Sequence, residues 1–117
     1  MATVLIVDPD PATRSLLELL LVRLGHRPIG QLDLPEGEEP DLLLLEPASG
    51  IGLAVARHLR AQFPELPVLC VSIDGPSDES RLLGPVAHVM KPFRRTQLEA
   101  AIEAAFPAAP EGLQAWA

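Results

Sequence analysis

Five short apolar runs, separated by segments with helix or turn character, dominate the pattern of hydrophobic and polar positions along the chain. The most pronounced is a run of four leucines between Asp41 and the Glu46-Pro47 step. It is too short for a helix, so we interpret it as a strand that is buried on both faces of a parallel sheet. The five predicted strands cover residues 3–7, 27–30, 41–46, 68–71 and 86–90.

The segments between these strands predict four helices of unequal length. Asp10 and Pro11 supply an N-cap and a first-turn proline, and leucines then recur at helical spacing until Gly25. A capping box at 96–99 starts the last helix, which leaves Arg94 and Arg95 in a solvated turn. The second, third and last predicted helices cover residues 51–62, 78–83 and 97–106.

Residues 31–40 contain two prolines, one glycine and four acids, a composition that resists a full helix. We therefore expect a loop, or at most one turn, where a crossover helix would normally connect two parallel strands. The whole pattern predicts an α/β fold, a flavodoxin-like doubly wound five-stranded parallel sheet of order 2-1-3-4-5 with the second helix shortened or missing. We expect one domain over residues 1–106 and a C-terminal tail over 107–117.

Four polar residues lie at the carboxyl ends of predicted strands. Glu46 is the last residue of the third strand, and Asp8, Ser72 and Lys91 come directly after the first, fourth and fifth strands. The carboxyl ends of parallel strands meet at one edge of a sheet, where α/β proteins bind ligands. The sequence therefore predicts a candidate site in which two carboxylates, a hydroxyl and an ammonium group converge.

Composition narrows the classes of partner. A formal net charge of −7 without a basic stripe argues against nucleic acid. No apolar run approaches the roughly 18 residues that a membrane span needs, and no targeting segment is visible, so we expect a cytoplasmic protein. The one cysteine, Cys70, lies within an apolar run and is interpreted as a small buried hydrophobic residue rather than a reactive thiol.

Four fragments, at residues 4–11, 40–46, 67–72 and 91–93, together resemble the receiver domain of two-component response regulators. In that family an aspartate after the third strand accepts a phosphoryl group from a histidine kinase. Mg²⁺ is held by that aspartate and by an acidic pair after the first strand. The resemblance implies that Lys91 is the pocket lysine, in a cis bond to Pro92. It also implies that Ser72 is the hydroxyl that binds the transferred group and His88 the residue that rotates on activation.

Two departures from the family pattern affect the chemistry. Glu46 stands at the phosphoacceptor position, and its extra methylene displaces the carboxylate by about 1.5 Å. Pro9 replaces the second acid of the pair, which leaves Asp8 as the remnant of a degenerate metal site; Asp10, as an N-cap, is no obvious substitute. We therefore expect no intact catalytic residue and no bound cofactor, with Mg²⁺ as the alternative.

Several roles stay open for these residues. Glu46 is a phosphoryl acceptor, one member of a fixed salt bridge with Lys91, or a solvated residue at a strand end. A glutamate that reaches Lys91 and Ser72 would imitate a phosphorylated aspartate in part. Ser72 is equally well explained as a residue whose hydroxyl bonds local backbone, and His88 as a half-buried strand histidine.

Our first functional hypothesis is a degenerate receiver, or pseudo-receiver. It would be a non-enzymatic module that signals without phosphorylation by binding a kinase, an output protein, another regulator or a second copy of itself. The expected binding face combines the helix at 78–83, the last strand and the last helix. The alternative is a working single-domain response regulator that accepts a phosphoryl group with Mg²⁺. A third hypothesis is a flavodoxin-like domain that binds a small anion, but no glycine-rich phosphate loop follows the first strand.

Overall fold

The computed structural model of the chain describes residues 2–106, which form a five-stranded parallel sheet with helices on both faces. The strand order is β2-β1-β3-β4-β5, which confirms the predicted fold class and topology. The predicted tail, residues 107–117, lies outside the described residues. The strands are β1 (Thr3–Val7), β2 (Arg27–Gly30), β3 (Leu42–Leu45), β4 (Val68–Ser72) and β5 (Ala87–Met90).

Three of the four helices begin at the predicted caps or within a residue of the predicted start. The Asp10 side chain accepts a hydrogen bond from the backbone of Thr13, and Gly25, with φ of 85°, follows the end of the first helix. None of the described helices is long and apolar enough to cross a bilayer. The helices are α1 (Pro11–Arg23), α2 (Gly50–Gln62), α3 (Asp78–Leu82) and α4 (Arg95–Ala105).

The connection between β2 and β3 has no α-helix. A single 3-10 turn, Gln31–Asp33, is followed by a loop to the start of β3. The prediction that the second crossover helix is shortened or missing is therefore confirmed. The physical reason is local, since prolines at 35 and 40 and the glycine at 37, whose φ is 81°, break any helix started in this segment.

The sheet separates two cores. One face packs against α1 and α4, while the other packs against α2, α3 and the segment around Leu34. The four leucines of β3 alternate between these cores and are each at most 1% exposed. Such two-sided burial explains why β3 lacks the polar alternation of a half-exposed strand.

The start of the last helix differs from the prediction. The helix begins at Arg95, so Thr96 lies inside its first turn, and Arg94 and Arg95 are not in a free turn. The backbone N–H of Arg94 donates to Gln97 Oε1 at 3.0 Å, and the Glu99 carboxylate pairs with Arg95 at 3.1 Å instead of capping. The two additional residues place Arg95 and Glu99 at i,i+4 spacing within the helix, where they form an ion pair.

Candidate functional site

The register of the sheet brings the four strand ends together. The backbone N–H of Glu46 donates to the Val7 carbonyl at 3.0 Å, and that of Lys91 donates to the Ser72 carbonyl at 2.7 Å. These bonds continue the parallel ladders one residue beyond the strands, so side chains at the ends of β1, β3, β4 and β5 lie close together. Asp8, Glu46 and Lys91 line an open cavity of about 330 Å³, which the exposed Ile73 also lines.

Lys91 lies between the two carboxylates of this cluster. Its Nζ is 2.8 Å from Asp8 Oδ2 and 3.0 Å from Glu46 Oε2. Its side chain is 16% exposed, and those of Asp8 and Glu46 are 3% and 7% exposed. Glu46 Oε2 is close enough for an ion pair but is not aligned for a hydrogen bond, and it has no other partner among the described residues. Two buried carboxylates and one half-buried ammonium thus form a compact group with a net charge of −1.

The other oxygen of Glu46 is held by two donors. The Ser72 hydroxyl donates to Glu46 Oε1 at 2.6 Å, and the backbone N–H of Ala48 donates to the same oxygen at 3.1 Å. Ser72 is completely buried, and its Oγ also accepts from the backbone N–H of Asp74 at 3.1 Å. The carboxylate of Glu46 is therefore fixed in position from both sides.

Asp8 has further partners that the sequence analysis did not identify. Its Oδ1 accepts from the backbone N–H of Asp10 at 2.8 Å, and its backbone carbonyl accepts from the Arg14 guanidinium at 2.7 Å. Arg14 lies four residues after Asp10 on the first turn of α1, so helical spacing was the only signal that placed it near this edge.

Asp10 lines the same cavity, but its carboxylate is engaged as the N-cap of α1. Its Oδ2 accepts from the Thr13 hydroxyl at 2.5 Å and from the Thr13 backbone N–H at 3.3 Å. The hydrogen bond from the Thr13 hydroxyl is the main reason why the pKa of Asp10 is lowered below its ordinary value. Pro9, next to it, is exposed and contributes no side-chain donor or acceptor.

Two groups at this edge have shifted pKa values. Burial lowers the pKa of Lys91, but its hydrogen bond to Asp8, its ion pair with Glu46 and the charges of those carboxylates outweigh that effect and raise it. Burial, with a smaller contribution from the Glu46 charge, raises the pKa of the Cys70 thiol to about 11. Cys70 is free and fully buried, as expected for a structural cysteine.

His88 lies on β5 and makes its hydrogen bond outside the charged cluster. Its Nε2 is 2.8 Å from the Asp74 carbonyl, so this nitrogen carries the hydrogen in the neutral ring. Its Nδ1 is buried and has no partner among the described residues. The half-buried strand histidine considered above matches this environment, whereas its role as a switch residue stays a prediction.

The cluster does not fit Mg²⁺, which demands octahedral oxygen ligands. The carboxylates of Asp8 and Glu46 are both occupied by the Lys91 ammonium, and Asp10 is occupied as a cap. Within residues 2–106 no group of three or more His, Cys, Asp or Glu side chains is arranged to hold a metal ion. A cation at this position would first have to displace Lys91 from two carboxylates. The Lys91–Pro92 bond is cis, as the family resemblance implied.

No family model and no curated protein sequence matches the chain. Solved structures do match. A response regulator from Thermotoga maritima is 25% identical, with a TM-score of 0.74 over 90% of this chain and 97% of that one. The Thermotoga maritima response regulator TrrA, in complex with Mg²⁺ and beryllofluoride, is 24% identical, with a TM-score of 0.76 over 91% and 100%.

The Vibrio cholerae chemotaxis protein CheY4 is 18% identical, with a TM-score of 0.78 over 91% of this chain and 99% of that one. These neighbours are receiver domains of nearly the same length as the described part of this chain. The chain therefore has the five-stranded CheY-like fold of response regulator receiver domains.

Proposed function

We propose that this chain is a pseudo-receiver, a signalling module of the two-component type that acts through protein contacts and without phosphorylation. One observation carries the proposal: the Lys91 ammonium lies between Asp8 and Glu46, at 2.8 Å and 3.0 Å. In a working receiver the acceptor carboxylate must be free to attack phosphorus, with a cation beside it. Here the carboxylate at that position is already neutralised by the lysine and held by Ser72.

The contacts of Glu46 support a permanent, partial imitation of a phosphorylated residue. Its two oxygens reach Ser72 and Lys91, the two groups that the family resemblance assigns to the transferred phosphoryl group. A glutamate has one negative charge and two acceptor oxygens, fewer of each than a phosphoryl group. We therefore propose that the module holds one conformation and does not switch.

We further propose that the output is protein binding and that the chain is not an enzyme. The face made by α3, β5 and α4, with Val86 directly before β5, carries apolar side chains that a partner would cover: Leu82 is 84% exposed, and Val86 and Met90 are each 45% exposed. A kinase, an output protein, another regulator or a second copy of the chain would fit this role. A cytoplasmic location belongs to the same proposal, and the buried free thiol of Cys70 suits a reducing compartment.

The first experiment is a thermal melt with and without millimolar Mg²⁺, repeated with beryllofluoride. A ligand that binds only the native state at about a hundred times its Kd stabilises by roughly 2.7 kcal/mol, which shifts the melting temperature measurably. We expect no shift in either condition, with TrrA as the positive control. A rise with Mg²⁺ and a further rise with beryllofluoride would overturn the proposal in favour of a working response regulator.

A gain-of-function variant makes the test sharper. Pro9→Asp combined with Glu46→Asp restores an acidic pair and shortens the acceptor, and we expect this variant to gain Mg²⁺-dependent stabilisation. The matched control, Pro9→Asn with Glu46→Asn, has the same shapes without the charges and should stay insensitive to Mg²⁺. If the variant with Pro9→Asp and Glu46→Asp stayed insensitive to Mg²⁺, then Pro9 and Glu46 would not be the residues that exclude the metal.

A further inference from the structure

The missing crossover helix leaves a groove beside α2. The groove has a volume of about 480 Å³ and lies between the 31–38 segment and one side of α2. The buried Leu5 and Leu59 and the half-buried Leu34 and Val55 contribute its apolar lining. It shares no lining residue with the charged cluster at the strand ends.

The two faces of the sheet are covered unequally. One face packs against the two helices α1 and α4, of 13 and 11 residues. The other face has α2, the five-residue α3 and the loop around Leu34. The core on this second face therefore reaches the surface where a third helix would ordinarily complete the layer.

The wall that α2 contributes has the geometry of a helix-packing surface. Ala54, His58 and Gln62 line the groove at intervals of four residues and form one row along the helix. Rows of i±4 positions are the ridges against which a second helix packs. The small side chain of Ala54 allows close approach at one end of this row.

The opposite wall is acidic. Glu36 and Glu38 line the groove and are exposed, and Asp33 and Glu39 flank them in the chain. Among residues 2–106, no lysine or arginine lines the groove, and His58 is the one basic side chain that does. A ligand that buries apolar surface here meets uncompensated negative charge on one side.

We propose that this groove binds a cationic amphipathic helix of a partner protein, which takes the place of the missing crossover helix. Its apolar stripe would cover Leu34 and Val55, and its lysines or arginines would face Glu36 and Glu38. The inference rests on the proposed function, since it names the chemistry of the partner. The occupant is not this chain itself: a second copy carries the same net charge of −7, and residues 107–117 contain one glutamate and no lysine or arginine.

The probe is a synthetic peptide of about 18 residues, five helical turns, with leucines at i, i+3, i+4 and i+7 spacing flanked by lysines. A scrambled peptide of the same composition and a peptide with every lysine replaced by glutamate are the controls. We expect the amphipathic cationic peptide to bind at least about tenfold more tightly than either control. Amide chemical-shift changes should be concentrated at residues 31–38 and 54–62.

Two pairs of variants locate the site. Glu36→Lys with Glu38→Lys should weaken binding about tenfold and reduce its salt dependence. Glu65→Lys with Glu103→Lys changes the net charge equally at exposed positions elsewhere and should leave affinity within about twofold. Val55→Ser should weaken binding, whereas Val22→Ser, at an exposed position on α1, should not.

Four results would each overturn the proposal. They are equal affinity for the scrambled peptide, an equal loss of affinity in the control variants, chemical-shift changes centred on another surface, and absence of binding. A dimer at micromolar concentration that Glu36→Lys with Glu38→Lys or Val55→Ser dissociates would also overturn it, because the occupant would then be a second copy. The Mg²⁺ and beryllofluoride melts are independent of these measurements. Failure of the groove proposal is therefore distinguishable from failure of the pseudo-receiver proposal.

Discussion

Ser72 Oγ donates a hydrogen bond to Glu46 Oε1 at 2.6 Å, between the ends of β4 and β3, and both side chains are buried. A hydrogen bond to a buried carboxylate is stronger than one between neutral groups, because the charge has little water around it. This contact fixes one oxygen of Glu46, and Lys91 pairs with the other. Glu46 therefore has little freedom to act as a nucleophile.

Replacement of Ser72 by alanine should lower the free energy of unfolding by about 2 kcal/mol, because Glu46 Oε1 loses its shortest donor. Chemical denaturation of the variant measures this loss. Ser15→Ala, at an exposed position of α1, is the control and should be neutral or slightly stabilising. A loss below about 0.5 kcal/mol for Ser72→Ala would mean that water replaces the hydroxyl at no cost.

Replacement of Lys91 by methionine should cost about 3 kcal/mol or more, since two carboxylates that are 3% and 7% exposed would lose their shared counter-charge. The free energy of unfolding at neutral pH measures the effect. Arg95→Met removes the exposed pair with Glu99 and should cost less than about 1 kcal/mol. Similar costs for the two variants would contradict the assignment of Lys91 as the charge that holds the cluster together.

Alkaline pH should weaken the fold through Lys91. Its pKa is raised in the folded protein above its value of about 10.4 in the unfolded chain. The stabilisation that the charged Lys91 contributes is therefore fully present below a pH of about 10.4. It is lost as the pH rises through the pKa of Lys91 in the folded protein. The pKa of the Cys70 thiol rises from 9.0 to about 11 on folding, so this group also lowers the free energy of unfolding as the pH rises, but its loss begins at about pH 9.

The two contributions are separated by measurement in a Cys70→Ala background. In that background the free energy of unfolding should decline above pH of about 10.4, and the decline should be smaller once Lys91→Met is added. The same decline in both proteins would show that the raised pKa of Lys91 makes no measurable contribution.

Two glycines at the start of α2 should respond oppositely to alanine. A Cβ on Gly52 would lie 2.8 Å from the Glu46 carbonyl oxygen and 2.9 Å from Leu45 Cδ1, so Gly52→Ala should cost about 1–3 kcal/mol. A Cβ on Gly50 meets nothing within 4 Å, and Gly50→Ala should be neutral or stabilising by up to about 1 kcal/mol. Thermal melts of the two variants compare them, and equal effects would argue against close packing of α2 on the end of β3.

Local sequence pattern was enough to predict most of the fold. The bounds of β1 and β2 match the prediction, and β4 extends one residue beyond its predicted apolar run, because apolar runs bounded by polar and turn residues specify buried strands without reference to distant residues. The missing crossover helix was equally predictable, since proline and glycine prevent a helix wherever they occur in its interior. The last helix was misplaced by two residues, because its first turn depends on a choice between two competing sets of polar contacts at residues 94–99.

The candidate site was predictable as a set of residues but not as an arrangement. Parallel topology places Asp8, Glu46, Ser72 and Lys91 at one edge of the sheet, and that much follows from the order of strands and polar residues in the sequence. Whether Lys91 pairs with Glu46, with Asp8 or with both depends on register and side-chain reach across 83 residues of sequence, which no local pattern specifies. Strand order and residue type thus specify which groups converge at this edge. The ammonium lies between two carboxylates and a groove stays open beside α2 because of contacts between residues that are distant in the sequence.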